Sequence, residues 1–168
     1  MNPNPPLDSS NPSGPKRPTR QIDQAFEEVA RLSGTDLPPT NFFQEFLEKV
    51  LNGIESRAGA VWLRNVQGFL QLQCQVNIDG VGLDKHKNGR QSHNELLRQA
   101  FQTAKPILLE PFGSTGILEG IPAGNPTDFA VAVAPILTED NQPLGIVEVF
   151  HKPTWNAQDL VTYTIQVA

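Results

Sequence analysis

The hydrophobic pattern predicts an α+β fold: a central antiparallel sheet of about five or six strands, with helices packed mainly on one face. Three observations carry this. Segments with apolar residues at i, i+3 and i+4 open the chain. Segments with period-two or unbroken apolar runs pair off into two hairpins. One further helical segment lies between those hairpins, and the arrangement argues for one antiparallel sheet.

The elements follow in order. Residues 1–18 carry prolines at 3, 5, 6, 12, 15 and 18, too little apolar surface to offset ordering entropy, and are expected to form a disordered leader. Pro12, Pro15 and Pro18 also keep the polyproline II period, with Lys16 and Arg17 between them. The folded domain is expected over 19–168, flanked by helices at 19–34 and 156–168. Ile22, Phe26, Val29 and Leu32 mark one face of the first, with Gly34 as its stop. Pro38-Pro39 breaks the chain, and Thr40 or Asn41 is the expected cap of a second helix. That helix places Phe43, Phe46, Leu47, Val50, Leu51 and Ile54 on one stripe.

The period then changes to two. Ala60 to Leu63 reads as a central strand and 65–68 as a turn. Leu70, Leu72, Cys74 and Val76 then alternate with polar residues, so all four are expected on one buried face. Residues 78–90 read as a polar, glycine-bearing loop. Ser92 and Glu95 spell a capping box for a helix burying Leu96, Leu97, Ala100 and Phe101. A short strand at 107–109 precedes a second long loop, 111–127. Two apolar strands, 129–137 and 144–150, form the second hairpin through 138–143. The last helix is still running at Ala168, which predicts that it continues into a longer protein.

Composition narrows the function classes. The chain has 168 residues, with 13 Lys and Arg against 18 Asp and Glu, a net charge of -5. That suits one domain plus a tail and offers no basic face for nucleic acid or direct membrane contact. A single cysteine, Cys74, excludes an intramolecular disulfide and a four-thiolate zinc site. No apolar run approaches the roughly 18 residues of a transmembrane helix, and the N-terminus lacks a signal-peptide core. A cytoplasmic location is expected.

The helix and strand over 43–63 (FQEFLEKVLNGIESRAGAVWL), with the closing hairpin VAPIL, TEDNQP and LGIVEVF, resemble the GAF family. The resemblance covers roughly 41–168. It also extends to GAF domains that precede bacterial HlyD-like secretion adaptors, through the two hairpins and the QSHNELLR helix start. It implies a GAF/PAS-like sheet and a small-molecule pocket between that sheet and the segments 78–91 and 111–127. It also implies a sensory or regulatory role, signalling through the terminal helices, and a homodimer formed by them. Four special chemistries of the fold are missing. Cys74 lies mid-strand, unlike a bilin attachment site; no N-K-F-D-E signature of cyclic-nucleotide binding can be assembled. One thiol cannot run a methionine sulfoxide reductase, and no GxxxxGK[ST] phosphate loop is present.

The candidate ligand-binding residues are Asp84, His86, Arg90, His93, Phe112 and Glu148, and they name no cofactor. Lys85, Lys87 and Arg90 would suit an anion, or would simply solvate a loop. Asp84, His86 and His93 match no standard metal spacing. Ser92 beside His93 makes no nucleophilic pair, because adjacent helical residues point apart. Period two puts Glu148 on the face of Ile146 and Phe150, where it would meet a ligand or lie at the sheet rim. Trp62 reads as core. Catalysis is not expected. Two readings stand: a non-catalytic small-molecule sensor, or a ligand-free dimerisation or docking module of a larger protein.

Overall fold

The structure, a computed structural model, describes residues 24, 27–32, 34–118 and 121–152. The proline-rich leader and the helix expected over 156–168 lie outside the described residues, as does Trp155.

Residues 27–32 are helical (α1) and bury Leu32. Then come α2 (Pro39–Gly53), β1 (Ala58–Arg64) and β2 (Leu70–Val76). A 3-10 turn (Ile78–Val81) leads to α3 (Gly89–Thr103) and β3 (Ile107–Leu109). After β4 (Ser114–Leu118) and β5 (Ile121–Gly124), β6 (Ala130–Leu137) and β7 (Pro143–His151) complete the fold. Five strands form one sheet in the order β2-β1-β7-β6-β3, antiparallel at every step; β4 and β5 pair separately. The α+β class and the antiparallel sheet are as the sequence predicts.

The sheet is buried on both sides. Alternation along β1 and β7 sends Val61, Val147 and Val149 toward α2, where Leu47, Val50, Leu51 and Ile54 cover them. The intervening residues Ala58, Ala60, Ile146 and Phe150 face α3 and its Leu96, Leu97 and Ala100. The helices are therefore not confined to one face: α1 and α2 share one, and α3 covers the other. Nearly continuous apolar runs in β6 and β7 follow from this double burial, since a half-exposed strand would alternate.

Several local expectations are corrected. Helix α2 begins at Pro39, with no side-chain cap from Thr40 or Asn41; proline at the first turn sacrifices a donor that had no helical partner. The glycine-rich stretch 111–127 contains the β4–β5 hairpin, packed on α3. Four apolar residues of β2 do not share a face. Val61 pairs with Cys74 but Trp62 pairs with Leu72, so Gln73 is an extra residue in a β-bulge. Beyond it the side chains change sides: Cys74 and Val76 join the α2 core, and Leu70 joins the α3 core.

Candidate functional site

The α3 face is closed from the loop side by residues 78–91. The sequence reads this segment as polar, yet Ile78, Val81 and Leu83 are buried and pin it onto the sheet. Asn77 just before the segment and Asn88 within it adopt left-handed angles, a conformation asparagine tolerates well. Gly89 lies against the carbonyl of Leu83, where any Cβ would collide with that oxygen. Helix α3 therefore starts at Gly89, three residues before the expected cap. Ser92 is inside its first turn and donates instead to the carbonyl of Pro122, at 2.6 Å. Glu95 pairs with Arg98, at 2.6 Å, so there is no capping box.

The earlier start puts His93 well inside the helix, three and four residues before Leu96 and Leu97. Gly89, His93, Leu96, Leu97 and Ala100 now form one buried stripe. His93 is 2% exposed, and its ring centroid is 5.7 Å from that of Phe150. Beneath it, in mid-strand, lies Glu148, 0% exposed. The rim position weighed for Glu148 is thus wrong, because its neighbours in register are Ala60 and Val133, both inside the sheet. The indole N–H of Trp62 donates to Oε1 of Glu148 at 2.8 Å, and Nε2 of His93 lies 2.9 Å from Oε2. That second contact is short but poorly aligned: Oε2 and both ring nitrogens of His93 are buried with no directed hydrogen bond. It is a charge contact when the imidazole is protonated, and weaker otherwise. Buried polar atoms left in this state are unusual and costly.

The six candidate residues fall into three pairs. His93 and Glu148 meet inside the domain. Asp84 and Arg90 form a two-pronged ion pair at the surface, and the guanidinium holds the Asp84 carboxyl below its usual range. His86 and Phe112 meet edge to face at 5.5 Å, joining the two segments; Phe112 is 60% exposed and has a left-handed φ of 58°. The structure thus does not bring the six into one cluster. It adds Trp62, whose polar edge the sequence reading missed. A tryptophan in a strand beside an inward carboxylate is the signal that would have found it, since a buried indole N–H needs an acceptor.

The expected pocket is occupied by the chain itself. Ile78, Val81 and Leu83 pack where a ligand between sheet and loops would sit. Two clefts lie elsewhere: one of about 380 Å³ lined by Glu28, Arg31, Leu32, Thr35 and Lys49, and one of about 400 Å³ beside Ser56, Arg57 and Asn77. Neither is lined by any residue of 78–91 or 111–127. Among the described residues there is no group of three or more His, Cys, Asp or Glu that could hold a metal ion. Nor is any described helix long and apolar enough to cross a membrane.

No protein-family model matches the sequence, and no curated protein is significantly similar to it. Solved structures do match. The A. aeolicus nlh2 GAF domain in an inactive state superposes with a TM-score of 0.64 at 14% identity, covering 90% of this chain and 91% of that one. The GAF domain of the Coxiella burnetii phosphoenolpyruvate-protein phosphotransferase gives 0.63 at 10% identity, covering 88% of each. The chain has the GAF fold. A far-red absorbing protein with bound biliverdin IXa also has this fold, with a TM-score of 0.54, 13% identity, and coverage of 88% and 92%. At these identities the likeness concerns architecture, and function has to be argued from the site.

Proposed function

We propose that this chain is a non-catalytic regulatory domain of the GAF family that responds to a small polar molecule at His93, Glu148 and Trp62. The observation that carries this reading is the unmatched polar chemistry at that point. Glu148 is wholly buried with one oxygen held by Trp62, while its other oxygen and the ring nitrogens of His93 have no directed partner. A buried ion pair adds little stability over apolar side chains of the same volume, so stability alone is a poor reason for it. A ligand offering a donor to the carboxylate and a partner to the imidazole would satisfy both. Access requires the part of segment 78–91 before α3 to lift, and Ile78, Val81 and Leu83 anchor that part to the α3 core. In the receiving state the terminal helices would carry the bias onward. A cytoplasmic location fits this reading.

A second reading has its own support, the apolar filling of the expected pocket. In it the polar trio is structural and the domain is a ligand-free dimerisation or docking module, in a setting such as a secretion-related protein. Native mass spectrometry separates the two. Extra mass on the wild-type chain, lost on denaturation and absent from Glu148→Gln, is the result expected for the sensor. A bare wild type, with no small molecule in a broad thermal-shift screen stabilising it more than Glu148→Gln, overturns the sensor and leaves the docking module.

A further inference from the structure

One end of the sheet exposes apolar side chains around a single cation. Leu63 pairs with Gly145, so the next step outward on these two strands brings Arg64 beside Leu144. On its other side Arg64 pairs with Leu70, and one row further in Trp62 pairs with Leu72. Paired residues share a face of the sheet, so Arg64 and Leu72 lie on the face that α3 covers further in. Leu72, Leu144 and Leu137 are exposed at this end, and the β1–β2 turn adds Val66 at 97% and Phe69 at 71%. That turn is firmly held: Oδ1 of Asn65 accepts from the backbone N–H groups of Gln67 and Phe69, each at 3.0 Å. Apolar side chains gathered and fixed in water mark an interaction site. Charge is scarce around them. Residues 65–76, which form the turn and the edge strand β2, contain no charged side chain, although edge strands are commonly guarded by charge. Arg64 is exposed and, among the described residues, has no ion pair. Glu139 and Asp140 stand further out, exposed in the β6–β7 turn.

We propose that this end of the sheet docks a segment of another protein in which an acidic side chain stands between apolar ones. Any partner that covers both Leu72 and Leu144 also covers Arg64, which lies on the strand between theirs. A guanidinium taken out of water without a counter-charge is costly, so the partner has to bring a carboxylate to that point. Arginine suits this role, because its planar fork binds a carboxylate through two hydrogen bonds. The apolar side chains on either side then keep water from the pair. Glu139 and Asp140 set the direction: they repel a second acid and favour a basic residue where the partner reaches the β6–β7 turn. The strip crosses four strands, β2 to β6, a span of roughly 14 Å, which suits a peptide segment better than a small molecule. The inference stands whether or not His93 and Glu148 receive a ligand.

The probe is a peptide selected on the 168-residue chain from a random phage-displayed library, then synthesised with a fluorescent label. The expected consensus is Asp or Glu between large apolar residues. In fluorescence anisotropy, Arg64→Ser should weaken binding of the consensus peptide by roughly thirtyfold or more, the loss that follows when one member of a covered charge pair is removed. Phe69→Asp, at an exposed turn position, should weaken it as well, and circular dichroism should show both variants folded. Arg64→Glu should bind a peptide whose acid is replaced by lysine better than it binds the original. A selection that enriches no peptide, or only peptides without an acidic residue, overturns the proposal. So does a consensus peptide that binds Arg64→Ser as tightly as wild type. A wild type that dimerises in sedimentation velocity, with a dimer that Phe69→Asp abolishes, overturns it too, because a second copy then holds the surface.

Discussion

The two faces of one sheet are built on different terms. Beneath α2, Leu47, Val50, Ile54, Val61 and Val147 are fully buried, and the packed cluster is apolar throughout apart from the Cys74 thiol at its edge. Beneath α3, the same strands present Ala60, Val133, Ile146 and Phe150, and in their midst the carboxylate of Glu148 under the imidazole of His93. Side chains on both faces are buried, so the difference is not one of exposure. One face gains from every atom it buries. The other desolvates two ionisable groups and recovers only part of that cost through one indole hydrogen bond and one poorly aligned contact. Packing alone is therefore a poor reason for the second kind of face.

The largest effect is expected on the polar face. Glu148→Ala leaves His93 and the Trp62 indole without their acceptor, and should cost about 3–5 kcal/mol in urea denaturation. Replacing the whole trio (Trp62→Phe, His93→Leu and Glu148→Met) should leave stability within about 1 kcal/mol of wild type, because every stranded polar group goes together. If the triple variant is instead as unstable as Glu148→Ala, the trio is a net stabiliser and the contrast between faces fails. On the apolar face, Leu47→Ala should cost about 3 kcal/mol, from lost transfer energy and the cavity left behind. Here no second substitution is expected to act as a rescue short of refilling the volume. The triple variant should also abolish any ligand-dependent shift, which Leu47→Ala should leave in place.

How much of this was legible in the sequence differs between the faces as well. The α2 face was readable because its signal is periodic: Phe46, Leu47, Val50, Leu51 and Ile54 recur at helical spacing, and unbroken apolar runs mark the strands beneath. The α3 face was not, because its features depend on register rather than on residue type. Ser92 and Glu95 have the right chemistry for a capping box, but Gly89 fits against the Leu83 carbonyl and the helix starts earlier, with Ser92 inside it. The bulge at Gln73 moves Cys74 to the other face, which no alternation count can reveal. Glu148 could be placed on an inward face from its period, but its depth could not, since burial depends on which strands flank it. The glycine-rich segment 111–127 hid a hairpin whose base is fixed by polar contacts. Asn125 donates to the carbonyls of Glu110 and Phe129, and Thr127 donates to Asn125. Among the six candidate residues, pairing is what the sequence withheld: each had the right chemistry, and only the fold decided that His93 would meet Glu148 rather than its neighbours in the loop.

The smallest expected effect concerns the edge of the apolar face and checks whether that face is dry to its border. Cys74 donates its thiol to the carbonyl of Phe43 at 3.3 Å, and burial pushes its ionisation up. The folded chain thus prefers the protonated thiol. While pH stays below the ordinary thiol value, folded and unfolded chains are both protonated and stability does not depend on this group. As pH rises past that value, unfolded chains lose the proton first, and stability should decline until the folded thiol also ionises. The decline should vanish in Cys74→Ala, measured against its own stability at neutral pH. At neutral pH, alkylation of the native thiol by iodoacetamide should be slower than that of the urea-unfolded chain, since the thiolate is the reacting species. Equal rates in the two states would mean that water reaches the α2 face at β2, and that the dry and polar faces differ less than their side chains suggest.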